Sequence, residues 1–290
     1  MHTIELGGVS VTRIAHFDNW PLAPAEFFPG TDPAVWAANR SWLAPAHWDA
    51  DADRVRVAVQ TWLLRSAGRT ILIDTGLSPT RAGAPVLPAL AAAGVAPDDV
   101  DLVISTHLHA DHVGGHTRLE NGEWAPTFPN AQYLFSKPDL DFFDPSTLVE
   151  EPGRSAAVFA ESVEPVLRAG QAVVWDGSHV VDEHLRLDLA PGHTPGLGVL
   201  TLDSGGDRAV FVGDLLHSPV QVLEPGVSSC FCHDRAQAAR TRHRVLAWAA
   251  DHTALVVPAH FGGGRAAEVR RDGTRFALHR WAGFADEPAG

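Results

Sequence analysis

Three histidines and an aspartate fall within six residues in Thr106-His107-Leu108-His109-Ala110-Asp111-His112-Val113-Gly114-Gly115. Imidazole and carboxylate are ligands for zinc, and also for iron, cobalt or manganese. His107 and His109 are two apart, so an extended backbone turns both to one face and lets them grip one cation. Asp111 and His112 come as the chain turns into a helix, where they can serve a second position beside the first. Three more metal-capable side chains follow: His193 in Gly192-His193-Thr194-Pro195-Gly196, Asp214 after Gly213, and His260 after Pro258-Ala259. Seven ligands are too many for one tetrahedral ion and suit two ions with one ligand shared. A carboxylate can bridge through its two oxygens, whereas a neutral imidazole cannot, so Asp214 is the bridge candidate. A water held between two divalent ions loses its proton near neutral pH and becomes a nucleophile for acyl or phosphoryl centres. No Gly-x-Ser-x-Gly is present to suggest a serine nucleophile. Asp111, Asp214 and His217 are the candidates for a catalytic part.

These side chains sit where short apolar, β-branched runs stop. Thr70–Ile73 ends in Asp74, Leu102–Thr106 in His107, and Ala209–Gly213 in Asp214. Leu185–Leu189 runs through Ala190-Pro191-Gly192 to His193, and Ala254–Val257 through Pro258-Ala259 to His260. Such runs read as buried strands. Helical patterns lie between and after them, over Pro85–Ala93, Ser155–Arg168 and Asp234–Ala250, the last with an aspartate at the N-cap position. Alternating strands and helices make an α/β fold, whose ligand sites lie at strand ends.

The ordered set Asp74-Thr75-Gly76, His-x-His-x-Asp-His, Gly-His-Thr-Pro-Gly, Gly-Asp and Pro-Ala-His resembles the metallo-β-lactamase fold superfamily from about residue 55 to 265. Asn130–Phe135 and His217–Gln221 are similar to its branch of quorum-quenching acyl-homoserine lactonases and methyl parathion hydrolase-type enzymes. The resemblance implies an αβ/βα four-layer sandwich and a dinuclear zinc hydrolase of lactones or related esters. It implies that His107, His109 and His193 hold the first ion, that Asp111, His112 and His260 hold the second, and that Asp214 bridges. Asp74 is then expected to hydrogen-bond a ligand histidine or nearby backbone, the alternative being a plain strand-end turn. Acyl-homoserine lactonases often carry a tyrosine three residues after the bridging aspartate. This chain has His217 there, and its single tyrosine, Tyr133, stands in an apolar run expected to be core strand. His217 is open between protonating a leaving group, orienting substrate and a structural place. Thioester hydrolysis of the glyoxalase II kind, phosphotriester hydrolysis and, in a different class, iron-dependent oxidation are the alternatives.

The chain has 290 residues, 45% of them hydrophobic, enough for a sizeable core, and is expected to form one domain. Its formal charge of −13 argues against nucleic acid and anionic lipid as partners and leaves a small-molecule substrate. No 18-residue apolar stretch is present for a membrane helix, and no signal peptide is expected, which points to the cytoplasm. Residues 1–55 read as an irregular aromatic arm, with Phe17, Trp20, Phe27, Phe28, Trp36 and Trp42 as candidates for a substrate pocket. A strap on the sandwich and a homodimer contact are its other uses. Residues 262–290 read as a tail with one helix. Cys230-Phe231-Cys232-His233 is expected to be structural or to line the pocket. His116 is expected not to be a ligand, and Arg240, Arg242 and Arg244 to form a solvated helix face.

Overall fold

Trp62, Leu64, Ile71, Ile73, Leu102 and Ile104 point to one side of a sheet, and the interleaved Leu63, Leu72, Val103 and Tyr133 point to the other. Because alternate residues of a strand face opposite ways, a strand buried on both faces reads as an unbroken apolar run. The structure, a computed structural model, describes residues 3–18, 22–78, 86–147 and 154–283. The first sheet has seven strands, side by side in chain order: Thr3–Leu6, Val9–Asp18, Ala58–Ser66, Arg69–Ile73, Leu102–Ile104, Gln132–Ser136 and Ala172–Trp175. The second has Ser178–Val180, Leu185–Leu189, Gly198–Ser204, Asp207–Phe211, Leu255–Val257, Arg265–Asp272 and Arg275–Gly283, again in chain order.

The sheets face each other across one apolar layer that includes Leu64, Ile104, Leu187, Leu200 and Phe211. Helical segments Val86–Ala92 and Arg154–Arg168 cover the outer face of the first sheet, and helix Arg235–His252 covers that of the second. This is the αβ/βα sandwich. Parallel neighbours need a long crossover, and those helices supply it. Asp234 caps the last of them by accepting from Gln237 N at 2.8 Å. Within 154–168, Phe159–Val163 is a π-helical turn. Pro165 has no N–H to give Glu161 O, and the Thr117 hydroxyl takes that carbonyl at 2.6 Å instead.

Register positions the functional edge. Ile73 pairs with Ile104 and Ile104 with Leu134, so those strands end level; Phe211 and Val257 are paired in the same way. The residues that follow each of them emerge at one edge of the sandwich.

Two expectations are corrected. The segment after Gly262 is no helix: Arg265–Asp272 and Arg275–Gly283 form a hairpin that completes the second sheet. Its signal was Asp272-Gly273 between alternating residues, with Gly273 at φ +61°. Residues 1–55 are also not irregular throughout, because Val9–Asp18 pairs with Ala58–Ser66 inside the first sheet. The rest of that segment folds into short helices Pro24–Phe27, Pro33–Ala38 and Arg40–Leu43 over a cluster of its own, centred on Phe28, Trp36 and Leu43.

Phe211 lies in the layer between the sheets, whereas Leu119 is 54% exposed on a surface hairpin. Phe211→Ala is expected to lower the unfolding free energy by about 3–5 kcal/mol, and Leu119→Ala to change it by less than about 0.5 kcal/mol. Urea unfolding midpoints at constant m-value would check both.

Candidate metal centre

The first sheet delivers His107 and His109 in the loop after Leu102–Ile104, and Asp111 and His112 in the turn of helix Ala110–Val113. The second delivers His193 after Leu185–Leu189, Asp214 in the turn Gly213–Leu215, and His260 after Leu255–Val257. Ligand atoms of His107, His109, His193 and Asp214 lie within 4.8 Å of one another, as do those of Asp111, His112 and His260. All seven sequence candidates therefore meet, in two groups.

Asp214 stands between the groups. Its Oδ2 is 3.1 Å from His193 Nε2 and 3.6 Å from His107 Nε2. Its Oδ1 is 2.8 Å from His260 Nε2 and 3.1 Å from His112 Nε2. Asp111 Oδ2 approaches His260 Nε2 at 3.6 Å and His112 Nε2 at 3.7 Å. His109 Nδ1 faces the Nε2 atoms of both His107 and His193 at 2.9 Å.

The outward ring nitrogens explain why the inward ones are available. His112 gives its Nδ1–H to Asp74 Oδ2 at 2.7 Å, and His260 gives its Nδ1–H to Ala58 O at 2.7 Å. In the neutral rings the two Nε2 lone pairs then face each other at 3.2 Å. His107 Nδ1 lies 3.2 Å from the Thr106 hydroxyl, and His193 Nδ1 lies 3.7 Å from Cys232 Sγ. Converging lone pairs need positive charge between them. Burial opposes charge on His193, yet the Asp214 carboxylate overrides it and takes the pKa up to about 9. His112 and His260 are raised against burial by the same carboxylate. Burial, reinforced by the His193 charge, pushes His109 down to about 3. The site thus collects protons where cations would sit, and the donor set fits divalent metal.

A family model for the metallo-beta-lactamase superfamily matches residues 54–260. The chain belongs to the metallo-beta-lactamase superfamily. Mus musculus metallo-beta-lactamase domain-containing protein 1 is 30% identical over 231 residues, 79% of this chain and 70% of that protein. The probable metallo-hydrolase YybB of Bacillus subtilis (strain 168) is 26% identical over 175 residues, 60% of this chain and 69% of that one. Among solved structures, the beta-lactamase superfamily hydrolase AbOPH superposes with a TM-score of 0.82 at 22% identity, covering 96% of each chain. The dizinc quorum-quenching lactonase AidC superposes at 0.78 with 24% identity, again over 96% of each chain. Both share the fold.

Around this superfamily centre, Asp74 is not a plain turn. It takes φ +57°, and its carboxylate accepts from Thr106 N at 2.8 Å and the Thr106 hydroxyl at 2.8 Å as well as from His112. Aspartate tolerates that left-handed conformation better than most residues. Gly192, at φ +138°, lets the His193 loop touch the long helix, since a Cβ there would come 2.2 Å from Ala238 N. His116 takes no part in the cluster. It gives Nδ1–H to Val113 O and faces the Ser105 hydroxyl through Nε2, and burial holds its pKa down to about 3. Tyr133 is buried strand, its hydroxyl donating to His116 O.

The centre opens into a cavity of about 310 Å³. Its lining includes Phe27, Val57, Leu108, Phe143, Val158 and Phe231, together with His109, Asp111, Asp214, His217 and His260. Among the described aromatic candidates only Phe27 reaches it. Phe28 and Trp36 are consumed by the core of their own segment, Trp42 packs on Trp281 at 6.3 Å, and Phe17 lies along a sheet strand. Trp20 lies outside the described residues. The segment therefore acts mainly as a strap, with one ring in the wall. His217 is buried there, its Nε2 3.2 Å from Asp214 Oδ2 without hydrogen-bond alignment, its ring stacked on His260 and edge-on to Phe27. Burial lowers its pKa to about 4 against the pull of Asp214.

Arg242 corrects another expectation. It is no solvated face: it is fully buried and donates to Leu215 O, Pro225 O and Val227 O at 2.7–2.8 Å. Gln221 reaches the same loop, accepting from His217 N and donating to Val227 O. Helical period alone could not separate Arg242 from the exposed arginines beside it. Nor did the sequence flag Asp139, whose buried carboxyl is pushed up to about 6 by burial, against its hydrogen bonds.

Asp74→Asn replaces an acceptor of His112 and Thr106 by an amide that is half donor. Zinc affinity is expected to fall about 10- to 100-fold. Competition against a calibrated chelator would check it, and unchanged affinity would contradict the arrangement.

Proposed function

We propose that the chain hydrolyses a lactone or related carboxylic ester with an apolar acyl or ring part, using two divalent cations, zinc first among them. The observation that carries this reading is Asp214, with one carboxylate oxygen toward each histidine group at the floor of an apolar cavity. His107, His109 and His193 would hold one cation, Asp111, His112 and His260 the other, and Asp214 both. When bound, such a pair supplies Lewis acidity, bringing water down to a pKa of about 7 and polarising a carbonyl oxygen.

The chain's own residues do the rest. Phe27, Phe143, Val158 and Phe231 take an acyl chain out of water. The His217 ring, without an aligned hydrogen-bond partner among the described residues, faces the same space and as a neutral imidazole would give a hydrogen bond from its N–H to the substrate's leaving oxygen. Among the described residues no lysine or arginine lines the cavity, which favours uncharged substrates over glutathione thioesters or carboxylate-bearing rings. The formal charge of −13 acts the same way against polyanions. The fold shared with a dizinc lactonase, solved with its acyl-homoserine product, is in keeping with this reading. A reducing cytoplasmic setting belongs to the same proposal, supported by the unpaired thiols of Cys230 and Cys232.

A panel of neutral acyl lactones, aryl esters, thioesters and phosphotriesters on the zinc-loaded chain would rank substrates. Lactones or esters with apolar acyl groups are expected to lead, and a chain active only on thioesters or phosphotriesters would contradict the reading. His109→Ala is expected to abolish turnover and lower metal content together, and full turnover with full metal would refute the ligand assignment. His217→Ala is expected to slow alkyl lactones more than nitrophenyl esters, whose leaving group needs no donor. Equal losses on both would remove His217 from leaving-group assistance.

A further inference from the structure

Asp139 is fully buried in helix Lys137–Phe143, the element that follows strand Gln132–Ser136. It offers no ligand atom to the metal-capable groups. Its two oxygens are spent on two separate loops. Oδ2 accepts from Leu108 N at 3.2 Å and from the Thr194 hydroxyl at 3.0 Å, and Oδ1 accepts from Gly196 N at 2.6 Å. Leu108 lies between His107 and His109, and Thr194 follows His193. One carboxylate therefore ties together the two loops that carry the three histidines meeting at His109 Nδ1.

The contact leaves no slack. A Cβ on Gly196 would lie 2.2 Å from Ser136 Oγ, 2.4 Å from Asp139 N and 2.7 Å from Asp139 Oδ1, so the loop comes in closer than any side chain would allow. The hydrogen bonds to Asp139, with the charge of His193 nearby, work against the burial that raises the Asp139 pKa. A buried carboxylate is costly unless hydrogen bonds satisfy it. A shape-filling apolar residue would avoid that cost, and it would also leave Leu108 N and Gly196 N without an acceptor. The second group, Asp111, His112 and His260, is anchored by other partners, Asp74 and Ala58 O.

We propose that Asp139 is a positioning residue for the first cation: it fixes the separation of the His107–His109 segment from the His193 loop, and so sets affinity at that position alone. This rests on the two-cation reading above. The test uses the full-length, chelator-stripped chain titrated with Co²⁺, following its visible bands and a competing chelator. Two backgrounds isolate the positions: His260→Ala weakens the second, and His193→Ala the first. In the His260→Ala background, Asp139→Asn turns a donor toward Leu108 N and is expected to weaken binding about 10- to 100-fold and to shift the cobalt bands. In the His193→Ala background the same change is expected to leave affinity unaltered. Thr194→Val removes one of the three hydrogen bonds, keeps the carboxylate, and is expected to give a smaller loss in the same direction, should Asp139→Asn fail to fold. Equal weakening in both backgrounds would mean a general loss of stability and would overturn the proposal, as would no weakening in either. An otherwise unaltered chain that binds no second equivalent would instead overturn the two-cation reading, and this proposal with it.

Discussion

Asp214 faces two sets of imidazoles with its two oxygens, in a place from which water is largely withdrawn. A carboxylate there gains from every positive charge nearby, and the neutral histidines around it offer lone pairs that repel one another. Protons relieve the conflict only in part: the Asp214 charge raises the pKa of His112, His193 and His260 against burial, while burial lowers those of His107 and His109. Divalent cations relieve it for every donor at once. Much of the surrounding structure serves to keep those lone pairs aimed inward. Asp74, Ala58 O, the Thr106 hydroxyl and Cys232 each meet an outward ring nitrogen, so the rings cannot turn away.

The sandwich makes this arrangement inexpensive in chain length. Each sheet is laid down in sequence order, and paired strands end level, so short loops after five of them reach one edge. Long-range order comes from the apolar layer between the sheets, which fixes one half of the donor set against the other. Local corrections then bring the loops to register: a left-handed aspartate at 74, a glycine packed on the long helix at 192, and the buried Arg242 and Gln221 that pin the loop carrying His217. The strap formed by residues 22–55 closes one side and contributes Phe27 to the wall.

Much of the centre was legible in the sequence, because metal ligation requires particular side chains at particular strand ends. Apolar runs that stop in histidine or aspartate state both the strand and its function at once. The buried sheet interior was legible for the same reason. What escaped has a physical cause in each case. The final hairpin is built on Ala266, Ala267 and Val269 among arginines, a composition that suits a helix equally well, and only Asp272-Gly273 marks the turn. The tryptophans and phenylalanines of the strap look like pocket residues in a linear sequence, yet most are used up covering one another. Asp139 and Arg242 carry no local pattern, since their partners are backbone groups from distant loops.

Zinc stoichiometry tests the central claim most directly. The chain saturated with zinc, freed of excess by gel filtration and measured by mass spectrometry of the metal, is predicted to retain two equivalents, and Asp214→Asn fewer. One equivalent in the unaltered chain, or two undiminished in Asp214→Asn, would contradict a carboxylate shared between two cation positions.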